Sequence, residues 1–134
     1  MINETISDKN GVEFCVTNVD NQKSVGENYF SVSTDNNFIV VTIKITNNSN
    51  EPYDVKSLRF LLLCNGLEYE YSSDTILAYD NYLSTDTINP LLSKEYVIIY
   101  ETPSTSVEDE YVLKIKPNIF DEKDCVYITL KQDE

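Results

Sequence analysis

The chain has 134 residues, 41% of them hydrophobic and 11% aromatic, which suits one folded domain and excludes a disordered chain. Its 23 acids against 10 bases give a net charge of −13, a field that repels nucleic acid backbones and anionic membranes and favours cationic partners or divalent ions. There is no histidine, so nucleophilic catalysis of the Ser-His or Cys-His kind is excluded.

No apolar run reaches the roughly 20 residues of a membrane-spanning helix. The opening "MINETISDKNGV" lacks the basic and apolar regions of a signal peptide. Two histories fit: a cytosolic protein, or a mature domain whose leader was replaced by a start Met. Residues 1–10 and 132–134 read as tails, and residues 11–131 as a single domain.

In chain order, the dominant period is two. Val12, Phe14 and Val16 alternate with Glu13, Cys15 and Thr17. The segment from Asp20 to Asn37 reads as a polar connection with a short strand at Tyr29–Ser33. In "FIVVTIKIT", Ile39, Val41, Ile43 and Ile45 share one face, with Thr42 and Lys44 opposite. "NNSNEP" then ends that strand, because Asn and Ser favour tight turns and Pro52 holds Glu51 extended. "RFLLLC" and "LEYEY" flank Asn65-Gly66, the dipeptide of a type I′ hairpin turn. Residues 72–94 form a long connection, and the spacing of Ile76, Leu77, Tyr79, Tyr82 and Leu83 predicts a short helix near 75–83. Three further strands put together Tyr96, Ile98 and Tyr100; Tyr111, Leu113 and Ile115; and Val126, Ile128 and Leu130.

Strands that alternate in this way each need one apolar face covered. The expectation is an all-β, two-sheet antiparallel sandwich of about 7–9 strands, its sheets packed face to face.

The ordered motifs "FIVVTIKITNNSNEPYDV", "FLLLCNGLEYEYS", "INPLLSKEYVIIYETP" and "EYVLKI" resemble the DUF4352 domains, a bacterial family of unknown function. The resemblance covers about Gly11 to Leu130. It rests on Asn47, Asn48, Ser49, Pro52, Phe60, Leu62, Gly66, Tyr69, Asn89, Pro90, Tyr100, Pro103, Tyr111 and Leu113. It implies an immunoglobulin-like sandwich of MPT63-like architecture. It also implies an extracellular or cell-surface location, with the leader or lipid anchor outside this chain; a cytoplasmic location is the alternative. The family brings no catalytic residues. One departure stands out: after "NP" the family usually has Gly, and here Leu91 and Leu92 follow.

Three candidate sites remain. Clustered carboxylates at Asp109 and Glu110, and at Asp121 and Asp124, offer the oxygen ligands that calcium takes; the other reading is two solvated acidic turns. Tyr79, Tyr82, Leu91 and Leu92 could form an exposed apolar binding patch, or cover an open end of the sandwich. Cys15 and Cys125, on the first and last expected strands, could be neighbours and bridge, or behave as small apolar side chains. The three cysteines are far apart and form no CxxC, which excludes a zinc ribbon. Carboxylate pairs are plentiful, but no spacing marks out an acid–base pair. The reading that follows is a non-enzymatic surface module that binds a protein or small ligand. The alternatives are a cytosolic acidic inhibitor of a basic partner and a calcium-binding accessory domain.

Overall fold

The computed structural model describes residues 2–8, 11–26, 30–55, 58–72, 75, 78–79, 86–103, 111–116 and 125–130. Among these residues there are ten strands: β1 (Thr5–Ser7), β2 (Val12–Val25), β3 (Val32–Asn47), β4 (Tyr53–Asp54), β5 (Arg59–Cys64), β6 (Leu67–Tyr69), β7 (Thr87–Ile88), β8 (Ser93–Thr102), β9 (Tyr111–Lys116) and β10 (Val126–Thr129). One sheet has the order β1-β2-β3-β8 and the other β10-β9-β5-β6; β4 and β7 form a separate two-stranded ribbon. Every pairing is antiparallel. The count exceeds the expected one because β1, β4 and β7 are too short to show a period in the sequence.

The core lies between the sheets. Val12, Phe14, Ile43 and Ile98 enter it from the first sheet, and Leu62, Leu113 and Ile128 from the second, all with no solvent exposure. Alternating residues reach one face because successive strand side chains point to opposite sides. β2 breaks the alternation at Thr17, where the register with β3 shifts between Val16 and Asn18. This bulge flips the parity, so that Val19 also packs against the core.

The hairpin of β2 and β3 extends well beyond the core. Within the stretch from Asp20 to Asn37, expected to be a connection, β2 instead runs on to Val25 and β3 already begins at Val32; Tyr29, where a short strand was expected to start, lies outside the described residues. A second register shift leaves residues 34–37 of β3 facing only Lys23. The Lys23 ammonium fills that bulge, donating to Asp35 O at 3.3 Å, Asn36 O at 2.6 Å and Asn37 Oδ1 at 3.0 Å. Polar composition thus marked a strand with a wide bulge, its turned-in carbonyls satisfied by a lysine.

The first sheet is apolar on both faces over part of its length. Phe38, Val40, Val97 and Ile99 point away from the main core and form a second cluster with Val25 and Ala78, with Val32 and Tyr79 packed against it. The segment after β6 covers this outer face. Ser72 N donates to Ile99 O at 2.8 Å, and turns follow, closed by Thr75 N to Ser72 O and Ala78 N to Thr75 O. Of the short helix expected near 75–83, residues 76–77 and 80–83 lie outside the described residues. Among the described residues there is no α-helix, and none long and apolar enough to cross a membrane.

Residues 2–8, part of the stretch read as a tail, are tied down. β1 pairs with β2 in the register Ile6 to Phe14, and Ile2 and Ile6 pack against the core. Asn3 N donates to Val16 O at 2.7 Å. A three-residue edge strand carries too little periodicity to be seen in sequence alone.

Candidate functional site

At one end of the sandwich, the last residue of β3 meets the turn that leads into β8. Asn47 is fully buried, and all its hydrogen-bonding groups are engaged. Its backbone N–H donates to Leu92 O at 3.0 Å, and its carbonyl accepts from Leu91 N at 2.7 Å. Its side-chain amide donates to Glu51 O and to Ile88 O, both at 2.8 Å. Its Oδ1 accepts from Ser49 N at 3.0 Å and Ser49 Oγ at 2.6 Å. Only a short amide side chain supplies two donors and an acceptor here, which is why the motif reads Asn-x-Ser. A buried polar group is tolerable when satisfied in this way.

The clamp holds a turn made by Asn89, Pro90, Leu91 and Leu92. Leu92 N donates to Asn89 O at 3.2 Å. Pro90 takes the second position, and Leu91, with φ of 66°, takes the third. This is the pattern of a type II turn, whose third position favours glycine. A leucine there costs about 1–2 kcal/mol of backbone strain. Glycine is therefore the residue this backbone asks for, and this chain carries an apolar side chain instead. Leu91 is 76% exposed and Leu92 54% exposed.

The expected patch of Tyr79, Tyr82, Leu91 and Leu92 is divided. Tyr79 is half-buried against the second cluster, whose β8 members are Val97 and Ile99. Those positions begin roughly 16 Å along β8 from Leu92, at about 3.3 Å per residue. Tyr79 serves as cover for the sheet, and the exposed pair stands apart from it at the sandwich end. Tyr82 lies outside the described residues.

The two cysteines expected as neighbours lie on different sheets. Cys15 is on β2, and Cys125 immediately precedes β10. Each follows or precedes an inward residue, so both side chains face outward, on opposite sides of the molecule. Packed sheets stand about 10 Å apart, whereas a disulfide needs Cα atoms within about 7 Å. Cys15, Cys64 and Cys125 are all free thiols. The expectation failed because β1, the short strand missed in the sequence, takes the edge beside β2.

Asp109, Glu110, Asp121 and Asp124 lie outside the described residues. Among the described residues no three carboxylate or thiol groups converge as metal ligands.

Two other polar clusters fasten strands together. Asp86 accepts from Lys94 Nζ at 2.6 Å, from Thr87 N at 2.9 Å and from the Tyr96 hydroxyl at 3.4 Å. The Lys94 hydrogen bond, with help from Thr87, holds the Asp86 carboxyl below its usual range. Burial, followed by the Asp86 charge, pushes the Tyr96 hydroxyl up to about 12. At the opposite end, Glu101 accepts from Thr34 Oγ1 and Asn36 Nδ2, and these bonds lower its pKa. All three shifts move away from neutrality, so these groups are held in one protonation state rather than poised for proton transfer. Their arrangement fixes β7 and the β2–β3 hairpin onto β8.

Solved structures share this architecture. The candidate lipoprotein ycdA of Bacillus subtilis superposes with a TM-score of 0.71 at 19% identity, covering 98% of this chain and 39% of that one. The chain thus spans about two-fifths of the ycdA chain's length. A conserved hypothetical protein of Bacillus anthracis gives 0.73 at 16% identity, covering 97% and 94% of the two chains. The secreted protein MPT63 of Mycobacterium tuberculosis gives 0.61 at 13% identity, covering 94% and 90%. At these identities the likeness establishes the β-sandwich fold. No curated protein matches the chain by sequence. Residues 1–125 match the domain of unknown function DUF4352, and the chain belongs to that family.

Proposed function

We propose that this domain is a non-enzymatic interaction module that works outside the cytoplasm, at the bacterial surface. The observation that carries the binding role is the turn at Leu91 and Leu92. It exposes two large apolar side chains on a backbone that is strained by one of them and locked by Asn47. Strain held in place by surrounding structure, at an exposed apolar position, is a recurring property of binding sites. The extracytoplasmic location is supported by similarity to a candidate lipoprotein and a secreted protein.

The test uses the full-length gene product in its native bacterium, with a photo-crosslinking residue at position 92. The reading predicts a discrete adduct that external protease can reach on intact cells. Absence of an adduct, or protein confined behind the membrane, would contradict it.

A further inference from the structure

The charges around the exposed turn narrow down what it meets. Glu51 is exposed, and its carbonyl is bonded to Asn47, the residue that carries Leu91. On the outer face of the first sheet, Glu13, Thr46 and Ser93 form one cross-strand row beside Leu92, and Lys44 and Glu95 meet in the next. Among the described lysines at this end, Lys44 stands opposite Glu95 and Lys94 is bonded to Asp86. Among the described residues, Glu13 and Glu51 therefore add negative charge to the rim of the leucine pair, within a chain of net charge −13.

From this we infer that the turn is the anchor for a basic protein partner: Leu91 and Leu92 enter an apolar pocket, and lysines or arginines around that pocket face Glu13 and Glu51. This rests on the binding reading above and assigns the partner's chemistry. A preformed apolar anchor loses little conformational freedom on binding, and truncating such an anchor is costly. The acidic rim steers a cationic partner in and rejects an anionic one. The same field opposes self-association through this end and docking on anionic lipid.

The probe is a short amphipathic peptide alternating leucine and lysine; its leucine–glutamate counterpart and zwitterionic phosphatidylcholine vesicles are controls. The variants are Leu91→Asn, which relieves the backbone, Leu92→Asn, and Glu51→Gln, each checked for an unchanged melting temperature or a gain. The lysine peptide should bind the full chain and the glutamate peptide should not. Each leucine variant should weaken binding about tenfold. Glu51→Gln should slow association, and raising ionic strength from about 0.1 M to about 1 M should weaken the complex. Equal binding of the two peptides, tighter binding to the vesicles, or no binding of the lysine peptide would overturn the inference. So would undiminished binding by folded leucine variants, which would show the net charge acting elsewhere on the surface. None of these results touches the crosslinking outcome at position 92, so the broader reading is judged separately.

Discussion

Asn47 and Leu91 are joined by a 2.7 Å backbone hydrogen bond that holds an exposed leucine in a left-handed conformation. One partner is fully buried and the other is 76% exposed. The bond links the end of β3 to the entry of β8, so the rigidity of the core reaches a side chain that touches solvent. The polar motif after β3 is therefore the support of the candidate site rather than the site itself.

The strain at Leu91 has a measurable consequence. Leu91→Gly removes a penalty of about 1–2 kcal/mol, partly offset by the greater freedom of glycine in the unfolded chain, about 0.5–1 kcal/mol. The expected outcome is a net gain of about 0.5 kcal/mol in a urea titration. Leu91→Pro, which cannot adopt positive φ, should lose stability in the same assay.

Ile99 points away from the main core yet is fully buried in the second cluster. Ile99→Ala should cost about 3 kcal/mol in denaturant unfolding. Were the outer face of β8 merely a solvated surface, the loss would stay within about 0.5 kcal/mol.

Stability should fall at both ends of the pH scale. Glu101 has a lowered pKa in the folded state through Thr34 and Asn36. Its contribution is present above its ordinary value of 4.5 and is lost as pH falls below it. Glu101→Gln should flatten the acid side of the urea-midpoint profile. Tyr96 behaves in the opposite direction. Its hydroxyl is raised from 10 to about 12, so its contribution is intact below pH 10 and is lost as pH rises through that interval. Tyr96→Phe should flatten the alkaline side.

Much of the sandwich was legible because alternation is a direct record of burial on one face. Val12, Phe14 and Val16 were placed correctly, as were Tyr111, Leu113 and Ile115. The second cluster was not read, although its signal was present. "FIVVTI" and "YVIIY" are apolar at consecutive positions, which marks a strand covered on both faces. The long hairpin was missed for a different reason: its bulge at residues 34–37 is polar, and its order depends on Lys23, which is distant in sequence. The candidate site was half visible. The two leucines after Pro90 could be seen in the sequence, but the buried role of Asn47 depends on the carbonyls of Glu51 and Ile88, which only the fold brings together.

The thiols offer a simple test of sheet assignment. Cys15 and Cys125 are partly exposed on opposite outer faces, and Cys64 is buried. Alkylation of the native chain without reductant should label Cys15 and Cys125, and denaturation should add Cys64. Mass spectrometry would reveal a disulfide between Cys15 and Cys125 as two protected positions, which would contradict the strand order.

The most direct test of the clamp is amide hydrogen exchange at Leu91, followed by nuclear magnetic resonance in the native chain and in Asn47→Ala. The substitution leaves the carbonyls of Glu51 and Ile88 and the amide of Ser49 without their partner, a loss of about 3 kcal/mol. The account predicts that the Leu91 amide is protected in the native chain like the amides of β3, despite the exposure of its side chain, and that this protection drops in the variant. Exchange of Leu91 at the rate of an open loop in the native chain would contradict it.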